Sequence, residues 1–502
     1  MARFIKFVVF FSQFILIIPI HGQIRVSGFV RDSITGEVLI GAHVMEPQID
    51  NAVIKDNRGY FSINIPVNTI LQFTYIGYHE KEMMINVKKD TLVTIELVSG
   101  AELSEVVITT NRQNFNVVNI TRKEMLLTPS LGATPDLMKT IQLQPGILSQ
   151  NEGSSVLLVR GGNPGENLYL LDEVPLIYVN HLGGYMSVFN PDMINDLTLY
   201  KSGFPSRYGG KLSSVVDITQ REGSNTGFKG SFGIGLTDLS LTLEGPLAKD
   251  MTWIITGRKT MTDFLMLAAT KFSMGDYLTS YGFHDVNGKI SWRPNEKNSF
   301  HINIYQGDDY LNSWYHMKSG ASSAKSHYLD IWGNWLVSLK WNHVVSSQIF
   351  VTNSISYTRY RLRDLSLLSA SDIQDYRTEY LSSLRDISFR SQWKYQPIKY
   401  LSFEFGGITS CLMHAPNQNL SSNYEDFYNH DPIRPIDFSV YNDAILRIMG
   451  NTKLRAGARL NIYSTENYTP VFLEPRISFD LGFIKNHLLN ISYMRITQNS
   501  HL

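Results

Sequence analysis

Val159-Arg160-Gly161-Gly162-Asn163-Pro164-Gly165-Glu166-Asn167, followed at once by Leu168-Tyr169-Leu170-Leu171-Asp172-Glu173-Val174-Pro175, is the stretch from which the fold is read. Two apolar runs, 156–160 and 168–171, flank a turn rich in Gly, Asn and Pro, which gives strand, turn, strand. Gly161-Gly162 followed by Gly165 is not a phosphate loop, because the Gly-Lys-Ser/Thr ending is missing. Upstream, Thr134-Pro135-Asp136 supplies an N-cap, a Pro at N1 and an acid in the first turn. Leu137, Met138 and Ile141 then form one apolar helix face, which Pro145-Gly146 ends. Downstream lies a long uncharged loop, 174–191, carrying Tyr178, His181, Gly183-Gly184 and Tyr185. Asn190-Pro191-Asp192 opens a second short helix, and strands follow at 197–201 and 214–219. Together these describe a compact α/β domain over 115–222. Arg160 and Arg207, each beside glycines, are expected to fix it by buried ion pairs and backbone hydrogen bonds.

Beyond residue 226 the pattern changes to alternation. Phe232, Ile234 and Leu236 alternate with small residues, and Leu239, Leu241 and Leu243 resume the period after Thr237-Asp238. Ile331, Trp335, Val337, Leu339 and Trp341 alternate with Asn334, Ser338 and Lys340, and Ile349, Val351, Ile355 and Tyr357 repeat the scheme. Short turns such as 293–298 and long polar stretches such as 308–326 punctuate it. Alternation over ~10 residues, aromatics near strand ends and unequal loops describe an antiparallel transmembrane β-barrel; a soluble sandwich is the alternative. Residues 226–502 suffice for roughly 10 to 12 strands once loops are counted.

Towards the N-terminus, residues 23–98 read as a small β-sandwich, with strands at 24–30, 60–65, 70–75, 83–87 and 92–98 and turns at Thr35-Gly36, Asn57-Arg58-Gly59 and Lys89-Asp90. His43 and His79 are its histidines and lack metal-ligand company. A hinge at Ser99-Gly100-Ala101 opens the linker 99–114, with Leu103-Ser104-Glu105-Val106-Val107-Ile108-Thr109-Thr110. This β-branched run is either a last strand of the first domain or an unpaired extended segment that another protein recruits by strand addition. Residues 1–22 carry Arg3 and Lys6, an apolar core from Phe7 to Ile18, then Pro19 and Gly22 before Gln23. This is the pattern of a secretory signal peptide, too short for a membrane span of ~20 residues.

Composition excludes several classes. Across 502 residues, 45 Lys+Arg balance 45 Asp+Glu, so no single-sign field exists to hold nucleic acid. At 43% hydrophobic the chain is not disordered as a whole, and the single Cys411 rules out a disulfide framework and a thiolate zinc cage. No catalytic constellation emerges. His430-Asp431 and Asp308-Asp309 read as solvated loop acids in preference to metal ligands. No cofactor and no metal is expected, and the chain does not read as an enzyme.

Several of these stretches match known families. Val26-Ser27-Gly28-Phe29-Val30-Arg31-Asp32, Leu39-Ile40-Gly41-Ala42-His43-Val44, Asp56-Asn57-Arg58-Gly59-Tyr60-Phe61 and Tyr75-Ile76-Gly77-Tyr78 resemble the carboxypeptidase-regulatory-like, transthyretin-type domain. Such domains precede many outer-membrane receptors of Bacteroidota-like bacteria. The run from Leu137 to Ile147 resembles the plug helix of TonB-dependent receptors, and Val159 to Asn167 the plug's glycine-rich motif. Leu170-Leu171-Asp172-Glu173-Val174-Pro175 is similar to the strand that follows, with Glu173 where the family usually has Gly. Ser206-Arg207-Tyr208-Gly209-Gly210-Lys211 resembles the exit into the barrel. Glu105, Val106, Val107, Ile108 and Thr109 resemble a TonB box.

The resemblance implies a mainly β chain: a sandwich, an α/β plug built on Arg160, Gly161, Gly162, Asp172, Arg207, Gly209 and Gly210, and a partial barrel over 226–502. The family closes ~22 strands around its plug, which implies that this chain is C-terminally truncated. It also implies active transport of a scarce, bulky solute across the outer membrane, with the N-terminal domain in the periplasm. Asn163, Asn167, Tyr178, His181 and Tyr185 are then the residues facing ligand. TonB with its energising complex, outer-membrane lipids, an extracellular ligand and a surface lipoprotein lid are the partners implied. The alternative is a non-transporting surface-binding protein or adhesin on the same scaffold, which has no need of a TonB box.

Overall fold

The computed structural model describes residues 23–39, 41–46, 51–54, 59–75, 77–87, 89–100, 116–129, 135–151, 153–274, 276–319, 322–370, 373–422, 431–448, 452–482 and 487–499. The expected signal peptide at 1–22, the segment 105–109 and His430 lie outside them.

Seven strands build the N-terminal sandwich: β1 (Gln23–Asp32), β2 (His43–Glu46), β3 (Asn51–Ile54), β4 (Tyr60–Pro66), β5 (Thr69–Thr74), β6 (Lys81–Ile85) and β7 (Thr91–Leu97). One sheet runs β4-β1-β7 and the other β3-β2-β5-β6. Val26, Val30, Val44, Phe61, Ile63, Phe73 and Ile95 interdigitate between them, fully or almost fully buried. The Phe61 and Phe73 rings meet edge-to-face at 5.9 Å. The sequence reading misses β2 and β3, which at four residues each are too short to display a period of two.

The plug comprises β8 (Val117–Thr121), α1 (Arg122–Leu126), α2 (Leu137–Gln142), β9 (Ile147–Ser149), β10 (Leu157–Val159), β11 (Leu168–Leu171), β12 (Val174–Leu176), β13 (Asn180–His181), β14 (Met186–Ser187), β15 (Ile194–Tyr200) and β16 (Val215–Gln220). A five-stranded sheet, β12-β11-β16-β15-β8, packs against α2 through Leu137, Met138, Ile141, Leu197, Leu199, Val216 and Ile218. The α2 N-cap is Asp136, two residues beyond the expected Thr134. Its carboxylate accepts from the Met138 and Lys139 amides at 2.7 and 3.4 Å, satisfying two orphan donors at once. The second short helix is a single 3-10 turn, Pro191–Met193, capped by Asn190.

The rest of the chain is one antiparallel meander. It consists of β17 (Lys229–Ile234), β18 (Asp238–Ala248), β19 (Met251–Thr260), β20 (Tyr277–Asn295), β21 (Asn298–Ser319), β22 (Ser322–Ser346), β23 (Ile349–Ala370), β24 (Ile373–Ile398), β25 (Leu401–Ser422), β26 (Ile436–Arg447), β27 (Lys453–Ser464), β28 (Val471–Leu481) and β29 (Leu489–Met494). Thirteen strands exceed the expected 10 to 12 because few residues are spent in loops. The polar stretch 308–326, expected as a loop, is itself the β21–β22 hairpin, paired from Asn298↔His343 to Ser319↔Ser322. Strands β20 to β25 run 19 to 26 residues, about twice the 9–11 that a bilayer requires.

Outward-facing Ile290, Ile304, Leu339, Ile355, Ile387 and Phe389 form an exposed apolar band. Below it, at the end with tight turns, Trp292, Phe300 and Trp341 stack across neighbouring strands at 5.4 and 6.1 Å, as do Trp393 and Phe405. This is the aromatic girdle of a membrane-spanning sheet. Helix α3 (Thr262–Met274) takes the place of β19 once that strand ends. Thr262 Oγ1 donates to the Tyr281 carbonyl and Thr270 Oγ1 accepts from the Thr279 amide, covering the free edge of β20.

The sandwich sits at the tight-turn end. The Tyr60 ring stacks on Phe350 at 5.0 Å, Arg25 donates to the Gln396 and Pro397 carbonyls, and Glu37 accepts from the Glu222 and Gly223 amides. Burial raises the Glu37 carboxyl above its ordinary range, although Arg221 at 3.5 Å draws it down.

Candidate functional site

The loop between β12 and β14 lies at the plug end remote from the sandwich. Tyr178 and Tyr185 stand exposed, at 44% and 66% of their surface. Asn163 is also exposed, with its amide and side-chain nitrogen both donating to Glu166, so the glycine-rich turn is locally self-satisfied. These three of the five expected ligand-facing residues are open to solvent.

The other two are not. Asn167 is buried, donating to the Leu157 carbonyl at 2.9 Å and accepting from Ser214 Oγ at 2.7 Å, so it ties β10 to the approach of β16. His181 is 1% exposed and faces the barrel wall. Its Nδ1 lies 2.6 Å from Asp309 of β21 and its Nε2 3.2 Å from Asp285 of β20. A carboxylate at each ring nitrogen favours a proton on both, and so the imidazolium form. Burial alone would push it towards neutrality; Asp309 and Asp285 overcome this and raise its pKa above the ordinary value. Arg258 of β19 completes a charge-balanced quartet, donating to Asp285 at 2.6 Å and to the Ser187 carbonyl at 3.0 Å. Phe283 stacks on the imidazole at 4.2 Å.

Asp308 and Asp309, weighed from sequence as a metal pair, point to opposite faces of β21, since side chains alternate along a strand. Asp308 meets Arg361, while Asp309 meets His181. No cluster of three metal-ligating side chains exists among the described residues.

A second seam runs along the plug's exit. Asp443 of β26 accepts from the Ser206 amide and hydroxyl at 2.8 and 2.9 Å. Arg459 of β27 donates to the Arg207 carbonyl at 3.1 Å, and Arg476 of β28 to the Pro205 carbonyl at 2.7 Å. Gly209 is required by close approach: a Cβ there would lie 2.6 Å from the Arg459 guanidinium. Gly161 and Gly210 hold left-handed φ of 83° and 81°, and a Cβ on Gly162 would collide with Ser213.

Arg207 is buried with its guanidinium over the Tyr208 ring at 4.5 Å. Burial opposes its charge, but Tyr208, Tyr200, Glu404 and Asp217 together hold it well above the ordinary value. Arg160 departs from the expected buried ion pair. It is exposed, has a left-handed φ of 51°, and donates to Ser202 Oγ and Asn116 Oδ1 within the plug.

The tip of the β11–β12 hairpin forms a third anchor. Asp172 and Glu173 have φ of 49° and 72°, the pair of positive values that a two-residue hairpin demands. Glu173 therefore carries strain that Gly would avoid. Its carboxylate accepts from Gln392 at 3.1 Å and lies 3.7 Å from Lys340. Asp172 pairs with Lys289 at 2.8 Å and accepts from the Gln220 amide at 3.0 Å. Asp172, Glu173, Lys289 and Lys340 line a charged cavity of about 70 Å³ to which Arg31 and Glu37 of the sandwich also contribute. Nearby Asp196 has its pKa raised well above the ordinary value by burial, then by Asp217 and Asp172. Sequence reading misses Asp285, Arg258, Asp443 and Arg459 and takes the buried Asp309 for a solvated loop acid, since alternation marks a residue as inward-facing but not which plug atom it meets.

Comparison with known proteins bears on this arrangement. The profile of the CarboxypepD_reg-like domain matches residues 26–108, past the boundary expected at 98. The TonB-dependent receptor SusC of Bacteroides thetaiotaomicron is 24% identical over 220 residues, 40% of this chain and 21% of that protein. A TonB-dependent receptor of Formosa agariphila is 27% identical over 222 residues, 41% of this chain and 22% of that protein. The matches thus span about a fifth of these relatives' length. Among solved structures, a variant of the ferric enterobactin receptor of Pseudomonas aeruginosa superposes with a TM-score of 0.56 at 14% identity, covering 77% of this chain and 62% of that one. The siderophore receptor PirA of Acinetobacter baumannii gives 0.54 at 14% identity, covering 75% and 60%. The homologues and the barrel neighbours indicate the outer membrane, and no helix among the described residues is long and apolar enough to cross one. The chain joins a CarboxypepD_reg-like domain to a plug and a barrel sheet of the TonB-dependent receptor kind, and the curated relatives it matches are TonB-dependent receptors.

Proposed function

We propose that this protein is a TonB-dependent transporter that binds a scarce, bulky solute outside the cell and imports it to the periplasm. The supporting observation is the plug's attachment. Buried charge pairs at His181 and Asp172, with the hydrogen bonds at Ser206, fasten it to β20, β21 and β26. A solute passes only if such contacts are rearranged, and breaking a buried pair costs about 3–5 kcal/mol. That demands an energy source, and no nucleotide-binding motif is present in the sequence. TonB, recruited by strand addition to Glu105, Val106, Val107, Ile108 and Thr109, is the source proposed. The tight-turn end with the sandwich then faces the periplasm, and Asn163, Tyr178 and Tyr185 are proposed to face the ligand.

The test is accumulation of radiolabelled iron chelates, cobamides, oligosaccharides and peptides by wild-type cells and by cells lacking TonB. One class should be accumulated only with both TonB and this receptor present. Equal accumulation of every class in the two strains would favour a non-transporting binding protein.

A further inference from the structure

Just above the apolar band, the outer wall changes character within one residue pair. On β23 the outward face reads Ile355, Tyr357, then Arg359, Arg361 and Arg363. On β24 the same face, followed in the opposite direction, reads Phe389, Ile387, then Arg385. Arg359 and Arg385 are direct cross-strand partners. On the other side Arg359 faces Trp335 of β22, exposed at 46%, which marks the level where hydrocarbon gives way to headgroups.

The nearby acids are already engaged. Asp308 takes Arg361 at 2.9 Å, and Glu379 takes both Arg363 and Arg377, at 2.6 and 3.0 Å. Neither Arg359 nor Arg385 is within ion-pair distance of an acid among the described residues, Asp308 near Arg359 being taken by Arg361, and the Nε of each is buried without a hydrogen-bond acceptor. Like charges directly opposite each other on a sheet are destabilising. An anion bridging them would turn that repulsion into two charge-assisted contacts, and the guanidinium fork suits phosphate in particular.

We propose that Arg359 and Arg385, flanked by Arg361 and Arg363, form a site on the outer wall for the phosphate of a lipid headgroup in the outer leaflet. Continuity with the apolar band decides for a lipid: acyl chains would lie against Ile355, Ile387 and Phe389 while the phosphate meets the arginines. The inference concerns the wall alone and stands whatever solute the plug admits.

The test is native mass spectrometry of the full chain in detergent, titrated with purified lipid A. Wild type should hold lipid A, and Arg359→Gln with Arg385→Gln should weaken it by at least about tenfold, or ~1.4 kcal/mol. Dephosphorylated lipid A with the same acyl chains should bind wild type as weakly as lipid A binds the variant. Arg359→Lys with Arg385→Lys keeps both charges and should lose less than the Gln pair; it carries the test should the Gln pair not fold. Equal binding of lipid A by wild type and variants, or of both lipid forms by wild type, overturns the assignment. Full displacement by equimolar inorganic phosphate also overturns it, as would finding the site filled by an acidic protein.

Discussion

His181 Nδ1 lies 2.6 Å from Asp309 Oδ2, a contact between a plug loop and a barrel strand 128 residues further along the chain. It pins the loop between Tyr178 and Tyr185 to the wall. Replacing His181 with Ala takes one cation from between two buried carboxylates, leaving Arg258 on Asp285 and the Tyr281 hydroxyl donating to Asp309. Removing one partner from such a buried network costs about 3–5 kcal/mol. Limited proteolysis should then cleave the 174–191 loop, with β20 and β21 left intact.

The same contact sets a pH dependence. The folded-state pKa of His181 is raised, so its stabilisation is fully present below the unfolded value of about 6.5 and is lost as pH rises through the higher folded value. Amide exchange of residues 178–187 should therefore accelerate on the alkaline side, after correction for intrinsic exchange. In His181→Gln that step should vanish. A loop whose corrected exchange is the same at both ends of the range would show that the imidazolium does not hold it.

Glu173 and Asp172 separate backbone strain from charge pairing at one turn. Glu173→Gly relieves a positive φ worth about 1–2 kcal/mol but raises unfolded-state entropy by ~0.5–1 kcal/mol and gives up the Gln392 contact. The net change should stay within about 1 kcal/mol. Asp172→Ala strands the buried Lys289 ammonium and should cost about 3–5 kcal/mol. Urea denaturation of the refolded receptor measures both, and a larger loss for Glu173→Gly would reverse this ranking.

Gly209→Ala places a methyl group against the Arg459 guanidinium, which the Arg207 carbonyl and Ser439 hydroxyl hold in position. Overpacking of this kind costs about 1–3 kcal/mol. The second seam should loosen while the His181 quartet is unaffected, so exchange should rise at 203–210 and stay unchanged at 178–187.

What sequence reveals here follows the reach of each signal. Alternation at Ile331–Trp341 exposed the wall, and Leu137, Met138 and Ile141 exposed the α2 face, because both periods are local. Positions 43–46 and 51–54 were too short to show one. The apolar run 264–269 was hidden inside a region whose neighbours alternate. The site was less legible. Tyr178 and His181 stand three residues apart in the same uncharged loop, yet one is exposed and the other clamped. Only the pairing of Asp285 with Gly307 and Asp309 with Trp332, which registers these acids inward, decides it. Glu173 stands out in the sequence only against the family's usual Gly; the positive φ that penalises a side chain there is a property of the folded turn.

The last prediction concerns energy coupling through Val107, which lies outside the described residues. Strand addition relies on backbone donors and an extended chain, so substitutions of Val106, Val107 or Ile108 that keep β-propensity should be tolerated. Val107→Pro should not be: it removes one amide donor and fixes φ near −65°. Uptake of the transported solute should be abolished, while equilibrium binding and surface exposure stay at wild-type levels, because the proposed ligand residues Tyr178 and Tyr185 lie at the plug end remote from the sandwich. Radiolabelled uptake and binding are measured on the same cells, with Val107→Ile as the tolerated control. Persistent uptake in Val107→Pro would make the segment a linker or, given that the CarboxypepD_reg-like match extends to residue 108, the tail of the first domain. Loss of binding together with uptake, with Val107→Ile unaffected, would place Val107 in the fold and not in the coupling, and the transport reading would lose this support.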